Sequence, residues 1–403
     1  MHGNRDDVGA SSPRDHHVLR TNFFLDKVGE VVVTLRSDGL ICEHLDDNRK
    51  VLSSRFGCKI LRGGACDVKF CDSYSVEYIG HWLSDRSNII VVKNLLLQRQ
   101  MFWLKLIYAR KSARNPGVLI PSSFALGHAD SQICQSWTEQ IKALLELQSG
   151  RPKNLMIFIN PRSGRTNGYN TWQTVLPIFD QAKIKTKMIV TERAGHAYDV
   201  MASCGTDELE SYDGFITVGG DGFFNEILNG FLLSRHKAHY PPQPSDTYHE
   251  HQSDNEAISH QEGIEPEISS ENEKHPLLRR TQHDSESNFP FEKFRFGIIP
   301  AGSTDAVAMC TTGTRDPVTC ALLIVLGKKI RLDIAQIVRW KATFASPTQP
   351  CVRYAASFAG YGFYGDVITE SEKYRWMGPK RYDCAGTKVF MQHRCRKTVS
   401  LMT

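Results

Sequence analysis

The chain has 403 residues, 41% of them hydrophobic, and a formal net charge of +5. A chain of this length buries a sizeable core and is expected to divide into two or three domains, while its small and scattered positive charge removes nucleic acid as the default partner and leaves an anionic membrane surface open. Eleven scattered cysteines with no CxxC pair, and an N-terminus, "MHGNRDDVGA", without the apolar core of a signal peptide, predict a reducing, cytoplasmic location.

Residues 1–17 are polar and are expected to be disordered. From Val18 to about Arg110, short β-type runs ("EVVVTLRSDGLIC", "SNIIVVK", "MFWLKLIYAR") are broken by Gly, Asp, Asn and Ser turn signals, which predicts a small antiparallel barrel or sandwich. The most apolar stretch, "NIIVVKNLLLQRQMFWLKLI", is interrupted by Lys93, Gln98, Arg99, Gln100 and Lys105 and falls short of the roughly 20 apolar residues of a spanning helix. No transmembrane segment is predicted, and any membrane contact is expected to be peripheral. In "SQICQSWTEQIKALLELQ", Ile133, Trp137, Ile141, Leu144 and Leu145 recur at helical spacing. Strands closed by one amphipathic helix with an inward Trp resemble a pleckstrin-homology domain, so residues 18–149 are expected to form a mainly β domain of that kind. The resemblance implies docking on phosphoinositide headgroups through basic loops; a scaffold barrel without a ligand fits the same residues equally well.

After "SGRPKNL" the pattern changes. "LMIFI" precedes "TWQTVLPIFDQA", "KTKMIVT" precedes "GHAYDVMASC", and "GFITV" precedes "FFNEILNGFLL", an alternation that predicts βα units around a parallel sheet. Residues 235–289 break it with a polar, acidic composition and few aromatic or β-branched residues, so a disordered insertion is expected there. That insertion holds seven of the fifteen histidines, but their irregular spacing and the lack of a neighbouring Cys favour a solvated loop over a metal site. "KFRFGIIP" follows at once as a further strand, so the insertion interrupts one domain and does not separate two.

Three loops after predicted strands suit an anion. "FINPRSGR" offers the amides and side chains of Asn160, Pro161, Arg162, Ser163, Gly164 and Arg165; "VTERAGHAYD" places Thr191 and Gly195 before a helix; "VGGDGFFNE" surrounds Asp221 with glycines that permit a tight turn and a close backbone approach. Three such loops in one sheet point to a nucleotide site. Asp221 then has two readings: a base that deprotonates an attacking hydroxyl in phosphoryl transfer, or an N-cap of the helix that follows it. The first is the expectation.

"VGGDGFFNEILNG" resembles the GGDGxxNE signature of the diacylglycerol kinase-type catalytic domain, and "FINPRSGR", "TERAGHAYD" and "GIIPAGSTDAVA" match that family's nucleotide loops in order. The run "GYGFYGDVITESEKYRWMGPKRYDCAGTKVF" resembles the ceramide kinase branch of the family most. The resemblance implies an α/β nucleotide-binding catalytic domain of NAD kinase/diacylglycerol kinase-like fold over 153–403, with a second, β-rich lobe beginning over 330–403. Carried over by position, it implies ATP contacts from Asn160, Pro161, Arg162, Thr191, Glu192, Arg193, Ala194 and Gly195, from Glu226, from Gly302, Ser303 and Thr304, and from Arg375 and Arg381. It makes Asp221 the general base and gives substrate contacts to Gly219, Gly220, Asp221, Gly222 and Asp366. ATP and Mg²⁺ are the implied cofactors, with Ca²⁺ stimulation a family trait, and ceramide is the implied lipid partner.

Sphingosine kinases carry a second acid two residues after the position of Asp366, suited to an ammonium; this chain has Ile368 there, which favours an N-acylated lipid. Other readings are a kinase for a sphingoid base or diacylglycerol, an NAD kinase, against which the "ESEKYR" block speaks, or a weakly active lipid-binding form. Family members continue with more strands after the position of "RKTVSLMT", so the comparison predicts a chain truncated in its second lobe.

Overall fold

Alternating apolar residues fold the first third of the chain into a seven-stranded antiparallel sheet. The computed structural model describes residues 19–26, 28–44, 66–81, 101–164, 167–235, 294–339, 351–360 and 362–392. The expected disorder at 1–17, the strand "SNIIVVK", all of the insertion after Arg235 and the stretch "RKTVSLMT" lie outside these residues. Strands β1 (Leu19–Leu25), β2 (Gly29–Leu35), β3 (Gly39–His44), β4 (Cys66–Lys69), β5 (Ser73–His81), β6 (Phe102–Lys111) and β7 (Leu119–His128) run in the order β4-β3-β2-β1-β7-β6-β5. Helix α1 (Ser131–Glu146) begins where the Asp130 carboxylate accepts the Gln132 N–H at 2.8 Å. Its Cys134, Trp137, Ile141 and Leu145 pack on Phe23, Leu40, Leu104 and Leu126 in one core, and Trp137 meets the edge of Phe23 at 5.0 Å.

The second layer is parallel. β8 (Asn154–Ile159), β9 (Lys185–Val190), β10 (Gly214–Gly219) and β11 (Arg295–Pro300) lie in the order β11-β10-β8-β9. Helix α2 (Gly168–Gln181) joins β8 to β9, α3 (His196–Ser203) and α4 (Thr206–Glu210) join β9 to β10, and α5 (Asp221–Arg235) follows β10. In β8 the odd residues Leu155, Ile157 and Ile159 enter one core while Met156 and Phe158 enter the other, so both faces of the sheet are buried, as a parallel sheet requires. After β11 come α6 (Ala306–Thr312), α7 (Pro317–Val325), the hairpin β12 (Ala335–Arg339) and β13 (Cys351–Ala355), α8 (Phe363–Ser371), a 3₁₀ stretch Glu372–Lys380 broken at Tyr374 with φ −113° and at Gly378 with φ 62°, and α9 (Arg381–Met391).

The two sheets share a core. Tyr74, Ile107 and Ala109 of the first sheet are buried with Trp172 and Phe179 of α2 and Leu322 and Val325 of α7. Leu119 donates its N–H to the Thr319 hydroxyl at 2.9 Å, Tyr74 donates its hydroxyl to Gln181 Oε1 at 3.3 Å, and the Arg151 guanidinium donates to the Phe70 carbonyl at 2.7 Å. Among the described residues, no helix is long and apolar enough to cross a membrane.

Candidate active site

The four parallel strands end on one side of the sheet, and short hydrogen bonds hold their loops together. Asn160 N–H donates to the Val218 carbonyl at 3.1 Å, Thr191 N–H to Ile159 at 2.9 Å, and Ala301 N–H to Gly219 at 3.1 Å. Between the loops lies a cleft of about 440 Å³. In an open parallel sheet, ligands bind at this edge. Glycine is required where two loops touch: a Cβ on Gly302 would stand 2.5 Å from the Gly220 Cα, and one on Gly220 would stand 3.1 Å from the Gly302 Cα. Behind that contact Asp305 is 2% exposed with φ 51°; its Oδ1 accepts the Gly302 N–H at 2.8 Å and its Oδ2 pairs with Arg315 at 3.0 Å. Burial pushes its carboxyl above the ordinary range, opposed by the hydrogen bonds from Arg315 and the Gly302 N–H.

Helix α5 ties these pieces together through its polar residues. Asp221 accepts the N–H of Ala306 at 2.9 Å and of Val307 at 2.8 Å, on separate carboxylate oxygens. It therefore caps α6, not its own helix. Glu226 accepts the N–H of Ala197 at 3.1 Å and of Tyr198 at 3.4 Å, capping α3. Asn225 accepts the Ala356 N–H and donates to the Ser357 hydroxyl, and Asn229 brackets Tyr354 of β13, accepting its N–H and donating to its carbonyl, each at 2.8 Å.

Residues 154–243 match the family described as the Diacylglycerol kinase catalytic domain. Over 92% of its length the chain is 47% identical to a ceramide kinase of Arabidopsis thaliana and, over an equal share, 43% identical to one of Oryza sativa subsp. japonica. A ceramide kinase of Homo sapiens is 34% identical over 68% of the chain. The chain is thus similar to ceramide kinases, and the match to a diacylglycerol kinase catalytic domain is confined to residues 154–243. It spans 65% and 66% of the two plant relatives' length and 42% of the human one's.

The matched catalytic domain contains β8, β9, β10 and α5; the loop after β11 and the wall built by residues 368–382 lie beyond the match. Of the expected site residues, Asn160, Arg162, Thr191, Glu192, Arg193, Ala194, Gly220, Asp221, Gly222, Glu226, Gly302, Ser303, Thr304, Arg375 and Arg381 line the cleft. Pro161, Gly195, Gly219 and Asp366 are not among the described residues lining it. Gly195 instead borders a second, open cavity of about 430 Å³ that shares Glu226 with the first. Gly219 is packed inward, where a Cβ would meet Phe223 at 2.6 Å. Arg193 is ion-paired with Asp199 at 2.5 Å. Arg381 is 9% exposed, stacks its guanidinium 4.7 Å from the Tyr382 ring centroid, donates to the Tyr382 hydroxyl at 2.7 Å, and has no hydrogen-bond partner for its Nε among the described residues.

Phe223, Glu372 and Tyr382 also line the cleft and were not singled out from the sequence. The spacing of Glu372 and Arg375, three apart in "ESEKYR", is the one signal that could have drawn attention to Glu372. Among the described residues no group of three or more His, Cys, Asp or Glu could hold a metal ion.

Proposed function

We propose that the chain is an ATP-dependent lipid kinase that phosphorylates the primary hydroxyl of ceramide. The observation that carries this reading is the convergence of the loops after four parallel strands on one cleft walled by Arg375 and Arg381; the ceramide kinase relatives supply the lipid. The loop amides and the two arginines would receive the triphosphate, with Arg381's unpaired Nε the buried donor for a phosphate oxygen. The substrate hydroxyl oxygen would bond to the γ-phosphorus while the β–γ bridging bond breaks, ADP leaves, and Asp221 takes the hydroxyl proton. Mg²⁺ would arrive on the nucleotide's phosphates beside Asp221 and offset their charge; carboxylates that line the cleft without forming a group of three among the described residues suit a cation that keeps phosphate and water ligands. Ile368 lines the cleft and offers no carboxylate to an ammonium, which suits an N-acylated lipid. The sheet closed by α1 is read as a pleckstrin-homology-like module, and membrane association as peripheral.

The test is the purified chain with labelled ATP and ceramide, sphingosine or diacylglycerol in mixed micelles. Labelled ceramide as the main product is expected. Preference for sphingosine would overturn the lipid assignment, and failure to bind ATP would overturn the kinase reading itself.

A further inference from the structure

Two guanidiniums and one carboxylate meet on the cleft wall, and they differ in how they are held. Arg381 is fixed without help: its side chain is 11% exposed, stacked on Tyr382 and hydrogen-bonded to that hydroxyl. Arg375 has a 58% exposed side chain, and Glu372 is its partner at 3.4 Å. The other oxygen of Glu372 accepts from Arg381 at 3.1 Å. The chain of contact runs from a buried anchor, through a carboxylate, to an exposed cation.

We infer that Glu372 is a positioning residue: anchored by Arg381, it orients Arg375 into the cleft for the phosphates of the nucleotide. The inference rests on the ATP-cleft reading above. A long exposed arginine has many rotamers, and an anion approaching the cleft meets a directed fork only if something restrains them. Glu372 lies three residues before Arg375, with Tyr374 between them outside helical geometry at φ −113° and ψ 27°, so the pair is held by charge at 3.4 Å and not by a regular helical turn. Gly378, with φ 62°, turns the chain so that Arg381 comes back to the same carboxylate.

The test is a double-mutant cycle read as ATP affinity by calorimetry on the full chain, with Glu372→Gln, Arg375→Gln and the pair. Arg375→Gln is expected to weaken ATP binding roughly tenfold and Glu372→Gln about threefold, the scale of an exposed pair, with the double variant within about twofold of Arg375→Gln alone. Thermal melts check folding, and Glu372→Ala repeats the measurement if Glu372→Gln is impaired. Wild-type affinity in the Glu372 variants beside a weakened Arg375→Gln would overturn this inference alone, as would tighter binding, which would make Glu372 a competitor of the phosphates. Independent, multiplying effects would mean that Glu372 does not act through Arg375. A wild-type chain that bound no ATP would remove the cleft assignment and this inference together.

Discussion

Both carboxylate oxygens of Asp221 accept backbone N–H groups from the first turn of α6, and the residue still borders the cleft. The sequence offered capping and proton abstraction as rivals; the geometry shows the cap, on a different helix from the one anticipated, and leaves the side chain where a hydroxyl could meet it. Asp221→Asn separates the two. The amide keeps one acceptor but turns an NH₂ toward the second backbone N–H, and a donor facing a donor costs about 1–3 kcal/mol. The expected result is a modestly lower melting temperature, ATP binding largely kept, and turnover down about 10²- to 10⁴-fold. Wild-type turnover would leave Asp221 a cap only. The glycines around Asp221 were legible as a cluster, but the reason for them is packing and not a left-handed turn: a Cβ on Gly219 would meet Phe223 and one on Gly220 would meet Gly302. The Gly220–Gly302 contact was not legible, because its partners are 82 positions apart and spacing along the chain says nothing about which loops touch.

At the scale of elements, the βα alternation was readable because apolar β runs and amphipathic helices follow one another with short loops, and β8, β9, β10 and α5 stand where that pattern put them. α6 was not readable. It has seven residues and follows Asp305 in a left-handed conformation, so it shows neither a helical period nor an ordinary N-cap, and its first amides are satisfied from α5. Nor does the sequence say that the asparagines of α5 grip a hairpin more than 120 residues away. Asn229 is 8% exposed and brackets both backbone groups of Tyr354. Asn229→Ala removes both of those hydrogen bonds in a buried place, which costs about 1–3 kcal/mol each. Urea unfolding should show a loss of at least about 2 kcal/mol, with faster amide hydrogen exchange at Tyr354. Unchanged exchange there would mean that β12 holds β13 without α5.

At the scale of the molecule, the sequence divides at "SGRPKNL", and the structure joins what it divides. Tyr74, Ile107 and Ala109 read as ordinary strand residues; their burial against α2 and α7 depends on a neighbouring layer that no local pattern announces. Tyr74 marks this seam. Burial pushes its phenol from 10.0 up to about 12, so its contribution to stability is fully present below pH 10 and is lost as the pH rises towards 12, where the unfolded chain ionises first. Tyr74→Phe removes this dependence together with the Gln181 hydrogen bond, worth about 0.5–1.5 kcal/mol. The stability advantage of the wild type over the variant in urea should hold steady to pH 10 and shrink above it; a constant difference through pH 11.5 would show that the phenol is not sealed in the seam. The polar bonds of α5 bear on portability. If Thr217–Gly230 were transplanted into a foreign βα unit, the glycine turn and the four polar side chains would travel, while the groups they engage at Ala197, Tyr198, Ala306, Val307, Tyr354, Ala356 and Ser357 would stay behind. The fourteen residues that read most plainly as a signature are thus not a cassette, since their chemistry belongs to contacts scattered over 160 positions of this chain.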